Sequence, residues 1–386
     1  MDKHTARRIY DTAIYLISCA LSGNVADKDL IFDDVKSIFD ISRRHSLNAI
    51  VTSALIKAGI APDYAVSERN MAIRKIMLLD AGRTEILREL ETAGIRYMVL
   101  KGVIIKELYP SIGDRQMSDN DILFDSSSRA KVREIMKKLG YEEECYGKGN
   151  HDVYIKQPLY NFEMHTDLFN SYYNPELYEY FKNALDIAEH DGLAHTMSDE
   201  YYYLYLKAHE YKHYSAGGTG IRSLVDTFVY LNAKKSSLNW EYLEAELKKL
   251  GILDYEKQTA KLSEKIFDHS FAEANMQSYK AAKYQDTLSV DEREMLDKFF
   301  LAGSYGTTER NMENQLKRVE SDSKVKFIFS RIFPKMEFYK ANYPFFYKYK
   351  ILIPFLIIGR VFAMIFVRPK STAKKLKTVM KHKKQP

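Results

Sequence analysis

Two aspartates two residues apart, Asp119 and Asp121, give the first hint of chemistry in this sequence. They lie in Ser118-Asp119-Asn120-Asp121-Ile122, a run that alternates and turns apolar towards Phe124, as a strand does. Side chains alternate along a strand, so the two carboxylates share a face, roughly 6–7 Å apart. Two carboxylates on one face repel unless a cation sits between them. Oxygen ligands suit Mg²⁺ or Mn²⁺. Glu163 lies in a later strand-like run, 161–168, and is a third carboxylate able to pair alongside. Three carboxylates on adjacent strands can hold two divalent ions about 3.5–4 Å apart, an arrangement suited to in-line displacement at phosphorus. The expected metal set is therefore Asp119, Asp121 and Glu163 with two Mg²⁺ or Mn²⁺ ions.

Other residues are candidates for binding substrate. Lys101-Gly102 forms a turn between a short β-type run, Arg96 to Leu100, and a helical run, Val103 to Leu108. Glycine there lets a phosphate approach backbone N–H groups at a helix N-terminus, where the dipole also favours an anion. Lys101 and Arg115 are placed to add charge-assisted contacts to phosphate oxygens. The competing readings are a solvated turn lysine and an arginine paired with Asp114 or Asp119. His165 and Asp167 share the strand face of Glu163. His209-Glu210-Tyr211-Lys212-His213 formally fits the zinc-hydrolase pattern, although the carboxylate constellation accounts for more of the chain. Arg222 and Asp226 stand at i, i+4 and most simply form a helix ion pair. His165, His213, Arg222 and Asp226 are carried as candidate substrate-side or supporting residues.

The elements around these residues divide the chain into four expected parts. Residues 1–90 read as helices, with apolar residues at three- and four-residue spacing in Asp34 to Phe39, Leu47 to Lys57 and Val66 to Leu90. Residues 91–170 read as β-α-β-α-β-β. In that unit Ser126-Ser127-Ser128 caps a helix that stops at Gly140, and Gln157-Pro158 sits between the last two strands. Residues 171–325 return to helices and open on a tyrosine-rich run, 201–205, assigned to helix packing. Residues 326–386 form an aromatic and apolar segment with a basic tail.

Taken together, Leu100-Lys101-Gly102, Leu108-Tyr109-Pro110, Arg115-x-Met117-x-Asp119-x-Asp121-Ile122-Leu123 and Phe162-Glu163-Met164-His165 resemble the uncharacterised nucleotidyltransferase group of the DNA polymerase β-like superfamily. The blocks His209 to His213 and Gly218 to Asp226 resemble the helical region that follows the catalytic unit in that group. The resemblance implies an α+β fold: a nucleotidyltransferase unit on a small mixed sheet, flanked by N- and C-terminal helical regions. It also implies a nucleoside triphosphate as substrate. The acceptor stays unnamed and is a sugar, a peptide, a small molecule or a protein. Lys101-Gly102 stands where that superfamily usually has Gly-Ser, and Val103 replaces the serine. The second reading is therefore a catalytically silent scaffold in a polysaccharide or peptide-modification pathway.

Composition sets the remaining bounds. The 386 residues are 46% hydrophobic and 28% charged, as in a globular chain. Two cysteines, Cys19 and Cys145, exclude a disulfide framework and favour a reducing, cytoplasmic setting. The net charge is +6, but Arg368 to Pro386 carry eight basic residues and no acidic ones, leaving the body at −2. Nucleic acid is therefore not the expected partner. Ile351 to Val367 is apolar apart from Gly359 and Arg360. It is short for a membrane span, and the expectation is a helix packed on the body or lying peripherally on an anionic membrane surface.

Overall fold

The computed structural model describes residues 3–303, residues 324–367 and Ala373. The expected helices at 304–318 and most of the basic tail lie outside these residues. The fold is α+β: one mixed seven-stranded sheet, in the order β3-β4-β5-β2-β1-β7-β6, is flanked by helices.

The N-terminal helices are α1 (Lys3–Ser22), α2 (Val35–Arg44), α3 (Asn48–Lys57) and α4 (Asp63–Thr92). On α1, Ile9, Ala13, Leu16 and Ile17 are buried, as their spacing requires. Gly94, at φ +69°, ends α4 in the left-handed conformation that only glycine adopts without strain. Strand β1 (Tyr97–Val99) leads through the one-turn α5 (Gly102–Ile105) and a long loop to β2 (Asn120–Phe124). Helix α6 (Arg129–Lys138) follows, then β3 (Glu142–Cys145), β4 (His151–Lys156), β5 (Tyr160–His165) and the short helices α7 (Pro175–Phe181) and α8 (Ala184–Ile187). The serines at 126–128 do not cap α6. Asp125 accepts from the Ser127 N–H and caps a short 3₁₀ turn that precedes the helix.

Three strands have no counterpart in the sequence reading. β3 runs through three consecutive glutamates, and its side chains are exposed or half-buried. The hairpin of β6 (Glu189–Asp191) and β7 (Ala194–Thr196) is mostly polar and exposed, yet β7 pairs parallel with β1 and carries the sheet past residue 170. The edge strands β3 and β6 bury little, and β7 is only three residues long with one buried side chain, so none leaves an apolar periodicity to read.

The sheet's alternation sorts two apolar layers. Ile122, Phe124, Phe162 and Met164 pack with Ile76, Leu79 and Ile86 of α4 and with Val132 and Met136 of α6. Met98, Leu100 and Leu123 belong to the other layer, shared with α1, α3 and the later helices. Asp121 alternates with Ile122 and so faces that second side, towards α9 (Asp199–Ala216) and α10 (Arg222–Lys234). In α9 the tyrosine run is buried. Tyr203 donates to Glu256 at 2.5 Å and Tyr202 to the Lys101 carbonyl at 2.9 Å. The helices α11 (Trp240–Lys249), α12 (Leu253–Phe267), α13 (His269–Lys280) and α14 (Val290–Ala302) close this half, α13 returning against α1.

The C-terminal apolar run is helical at Ile353–Phe362, and nothing in Lys350–Val367 is buried against the body. The segment still touches the body from one side, where Arg360 meets the Phe338 ring and the Arg331 carbonyl, so it rests on the surface and is not part of the core. By length and composition this stretch is also able to cross a membrane.

Candidate active site

Parallel pairing of β2 with β5 places Asp121 directly beside Glu163, and Leu123 beside His165. Asp119 sits one residue before β2. Asp119, Asp121, Glu163 and His165 all line one cavity of about 430 Å³, between the sheet and helices α9 and α10. Asp167 follows the end of β5, since the strand stops at His165.

Lys101 is held into the same site by its backbone. It sits at φ +44°, outside the ordinary range of a residue with a Cβ, and such positions cost about 1–3 kcal/mol. Two contacts hold it there: the Tyr202 hydroxyl on its carbonyl, and its own Nζ on Asp121 Oδ1 at 2.8 Å. The helix that begins at Gly102 is a single turn, so it offers little dipole for a phosphate. The glycine has a different visible role. A Cβ at position 102 would lie 2.5 Å from Arg115 Nη1 and 3.0 Å from Met117 Sδ.

Charge at the site is unevenly matched. Burial pushes the Asp119 carboxyl up, and the neighbouring Asp121 and Glu163 push it further. Burial acts the same way on Asp121, but Lys101 and His165 outweigh it and hold Asp121 firmly ionised. His165 Nε2 lies 2.8 Å from Asp121 Oδ1 and 3.5 Å from Glu163 Oε2. Burial lowers the basicity of His165, yet these two carboxylates more than reverse that, and its pKa is raised. Glu163 is buried enough to be pushed up, but hydrogen bonding to His165 turns the balance downward.

His151 joins them from β4. It stands opposite His165 in the antiparallel β4–β5 pair, and its Nε2 is 3.7 Å from Glu163 Oε2. One donor atom each from His151, Glu163 and His165 lies within 4.8 Å of the others. Bonds of about 2.0–2.2 Å hold the ligands of one ion at comparable separations. His151, Glu163 and His165 are therefore spaced to hold a divalent ion, and the Asp119 and Asp121 carboxylates line the same cavity. Sequence reasoning missed His151, although the signal was present, because a hairpin folded about Pro158 puts residues 151 and 165 opposite each other.

Two expected pairings are corrected. Arg115, a candidate for phosphate binding, directs its guanidinium at Asp226, with Nε to Oδ1 at 2.8 Å and Nη2 to Oδ2 at 2.9 Å. Tyr109 donates to the same carboxylate at 2.7 Å. The expected i, i+4 pair of Arg222 with Asp226 does not form, because the carboxylate is already committed across the interface between the β1–β2 loop and α10. Arg222 donates only a long bond, 3.4 Å, to the Gln116 carbonyl. The zinc-hydrolase pattern loses its base for a similar reason. Glu210 is buried and binds Lys207 at 2.9 Å and Tyr255 at 2.7 Å.

The wall facing the carboxylates carries two cations, Lys212 and Arg222, and two histidines that burial keeps neutral. Lys212, His209, His213 and Arg222 all line the cavity. Burial, and then Lys101, lowers the Lys212 pKa to about 8. Burial, helped by Lys212 and Lys101, takes His213 down to about 3. Tyr205, fully buried in the cavity lining, has a hydroxyl without a hydrogen-bond partner.

A family model described as an uncharacterised nucleotidyltransferase matches residues 33–268, more than half of the chain. The chain belongs to that family. The matched segment contains all of the cavity lining described above. No curated protein and no solved structure matches the chain. Membership supports nucleotidyl transfer as the general activity, with a nucleotide as substrate.

Proposed function

We propose that this chain moves a nucleoside monophosphate from a nucleoside triphosphate to an acceptor hydroxyl or phosphate. The acceptor oxygen bonds to the α-phosphorus, the bond to the β-phosphate oxygen breaks, and pyrophosphate leaves. A hydroxyl acceptor also gives up its proton. The observation that carries this reading is the convergence of Asp119, Asp121 and Glu163 on one cavity, in a chain whose family is one of nucleotidyltransferases.

Asp119, Asp121 and Glu163 would hold divalent metal, Mg²⁺ or Mn²⁺. When bound, the metal lowers the pKa of the acceptor and neutralises charge on the departing pyrophosphate. The chain's own residues supply alignment. Lys101 keeps Asp121 ionised, and His165 bridges Asp121 and Glu163 so that both carboxylates stay oriented. Tyr202 fixes the turn that aims Lys101.

One observation favours the scaffold reading. The Lys101 ammonium already sits on Asp121, where it neutralises part of the charge a metal would otherwise neutralise. Calorimetry with ATP, CTP, GTP and UTP in the presence of Mg²⁺ separates the two readings. Nucleotide binding that is lost in Asp119→Asn/Asp121→Asn supports the enzyme, and no binding of any nucleotide supports the scaffold.

A further inference from the structure

The cations around the cavity fall into two groups. Lys101 and Arg115 are taken by Asp121 and Asp226. Lys212 and Arg222, by contrast, have no carboxylate partner among the described residues. Among the described residues the Lys212 ammonium lies over the Phe169 ring, 5.7 Å from Nζ, and feels Asp121 and Glu163 only through space. Arg222 reaches only the Gln116 carbonyl. A half-buried cation without a direct ion pair loses hydration for little return, so a site that gathers two such groups favours an anion. Thr219 and Ser223 stand beside them, with hydroxyls 2.6 Å apart, and the buried Tyr205 hydroxyl adds an unused donor.

We propose that Lys212 and Arg222, on the helical side of the cavity, form the subsite for the polyphosphate tail of the nucleotide. This rests on the transfer reading but names the phosphate-binding residues within it. The subsite and the carboxylates line the same cavity, so a nucleotide whose tail is held by Lys212 and Arg222 would meet any metal held by the carboxylates. Lys212 loses its proton at lower pH than an ordinary lysine, so the affinity falls as pH rises through about 8.

The test uses the full chain and inorganic triphosphate, which has no base or sugar, in calorimetry. Each of Lys212→Gln and Arg222→Gln is expected to weaken binding about tenfold, the usual loss for one charge-assisted contact. Lys212→Arg restores most of the affinity. With nucleotide as substrate, KM rises more than kcat falls. Unchanged triphosphate affinity in Lys212→Gln/Arg222→Gln overturns the subsite even if nucleotide transfer proceeds. Triphosphate binding through these residues without any transfer overturns the reaction and leaves the subsite standing.

A separate surface carries a second inference. Ile351, Phe355, Ile358, Phe362 and Ile365 recur at four- and three-residue spacing, one face of a helix, and are 55–83% exposed. Arg360 turns the other way, its guanidinium 4.8 Å from the Phe338 ring and bonded to the Arg331 carbonyl. The mid-segment charge is therefore removed from the apolar face. From Phe338 to Pro386 the sequence has twelve basic residues and no acidic ones. An apolar stripe embedded in uniformly positive chain matches a negatively charged lipid surface.

We infer that this segment lies on an anionic membrane surface, with the stripe among the acyl chains and the basic tail on the headgroups. Flotation of the full chain is the test, on phosphatidylcholine vesicles with and without phosphatidylglycerol. The expected result is binding to the anionic vesicles alone, reduced at least about tenfold between 0.1 and 0.5 M salt. Phe355→Asp/Ile358→Asp abolishes binding while nucleotide affinity stays at the wild-type level. Failure to float with anionic vesicles overturns the inference. So does binding that ignores lipid charge and salt and survives alkaline extraction, the behaviour of a spanning helix.

Discussion

Asp226 ties the two halves of the cavity together, and its removal is the most informative structural perturbation. The carboxylate is 6% exposed and accepts from Arg115 twice and from Tyr109 once, all within 2.9 Å. Arg115, at 9% exposure, has no other carboxylate within reach among the described residues. Asp226→Leu therefore leaves a buried guanidinium and a buried phenol unpaired. Breaking one side of such a pair costs about 3–5 kcal/mol, a large part of the roughly 5–15 kcal/mol that holds a domain folded. Urea titration followed at the single tryptophan, Trp240, should show the midpoint fall by about 1 M or more. Arg115→Met should cost less, because a lone carboxylate can protonate. The double variant Arg115→Met/Asp226→Leu should be more stable than the sum of the two singles predicts, by about 1–3 kcal/mol. It should also keep nucleotide affinity within a few-fold, because Arg115 is assigned to the interface and not to phosphate. Two singles that each cost under about 1 kcal/mol and simply add would refute the reasoning. So would loss of nucleotide binding in a stably folded double variant.

The other predictions concern the turn and a buried histidine. Lys101→Gly keeps the backbone conformation and removes the ammonium from Asp121, so Mn²⁺ binding measured by calorimetry should tighten while turnover falls. Gly102→Ala drives a methyl into Arg115 and should lower stability by about 1–3 kcal/mol in thermal melts, with most of that loss absent in an Arg115→Met background. His45 is 1% exposed, and burial, helped by Arg44, lowers its pKa to about 4 from an unfolded value near 6.5. The unfolded chain therefore takes up this proton first, and stability present above pH 6.5 is lost as pH falls towards 4, by roughly 3 kcal/mol. Urea midpoints between pH 7 and pH 4 should fall more steeply in the wild type than in His45→Leu.

The parts of the fold that bury an apolar face were legible in the sequence. α2, α3 and α4 appear within a few residues of their periodic runs, and β4 lies where the alternation placed it. The polar edge strands β3 and β6 were not legible, because exposed strands need no apolar partner, and the three-residue β7 between β1 and β6 is too short to show a pattern. Types and spacing were enough to place Asp119, Asp121 and Glu163 in one cavity, since strand alternation and pairing are local rules. The partner of Arg115 was not legible. Asp226 lies on a helix more than a hundred residues away, and only the packing of α10 against the β1–β2 loop brings the two together. The same packing separates committed cations from uncommitted ones, so Lys212, though inside a quoted block, was not singled out by the sequence.

The most direct measurement is pyrophosphate release from each labelled nucleoside triphosphate with Mg²⁺ or Mn²⁺, screened against sugars, peptides and small alcohols as acceptors. The account predicts metal-dependent release with label on one acceptor, reduced by orders of magnitude in Asp119→Asn/Asp121→Asn and in Glu163→Gln. Release that survives intact in those variants, with the fold unchanged, would contradict it.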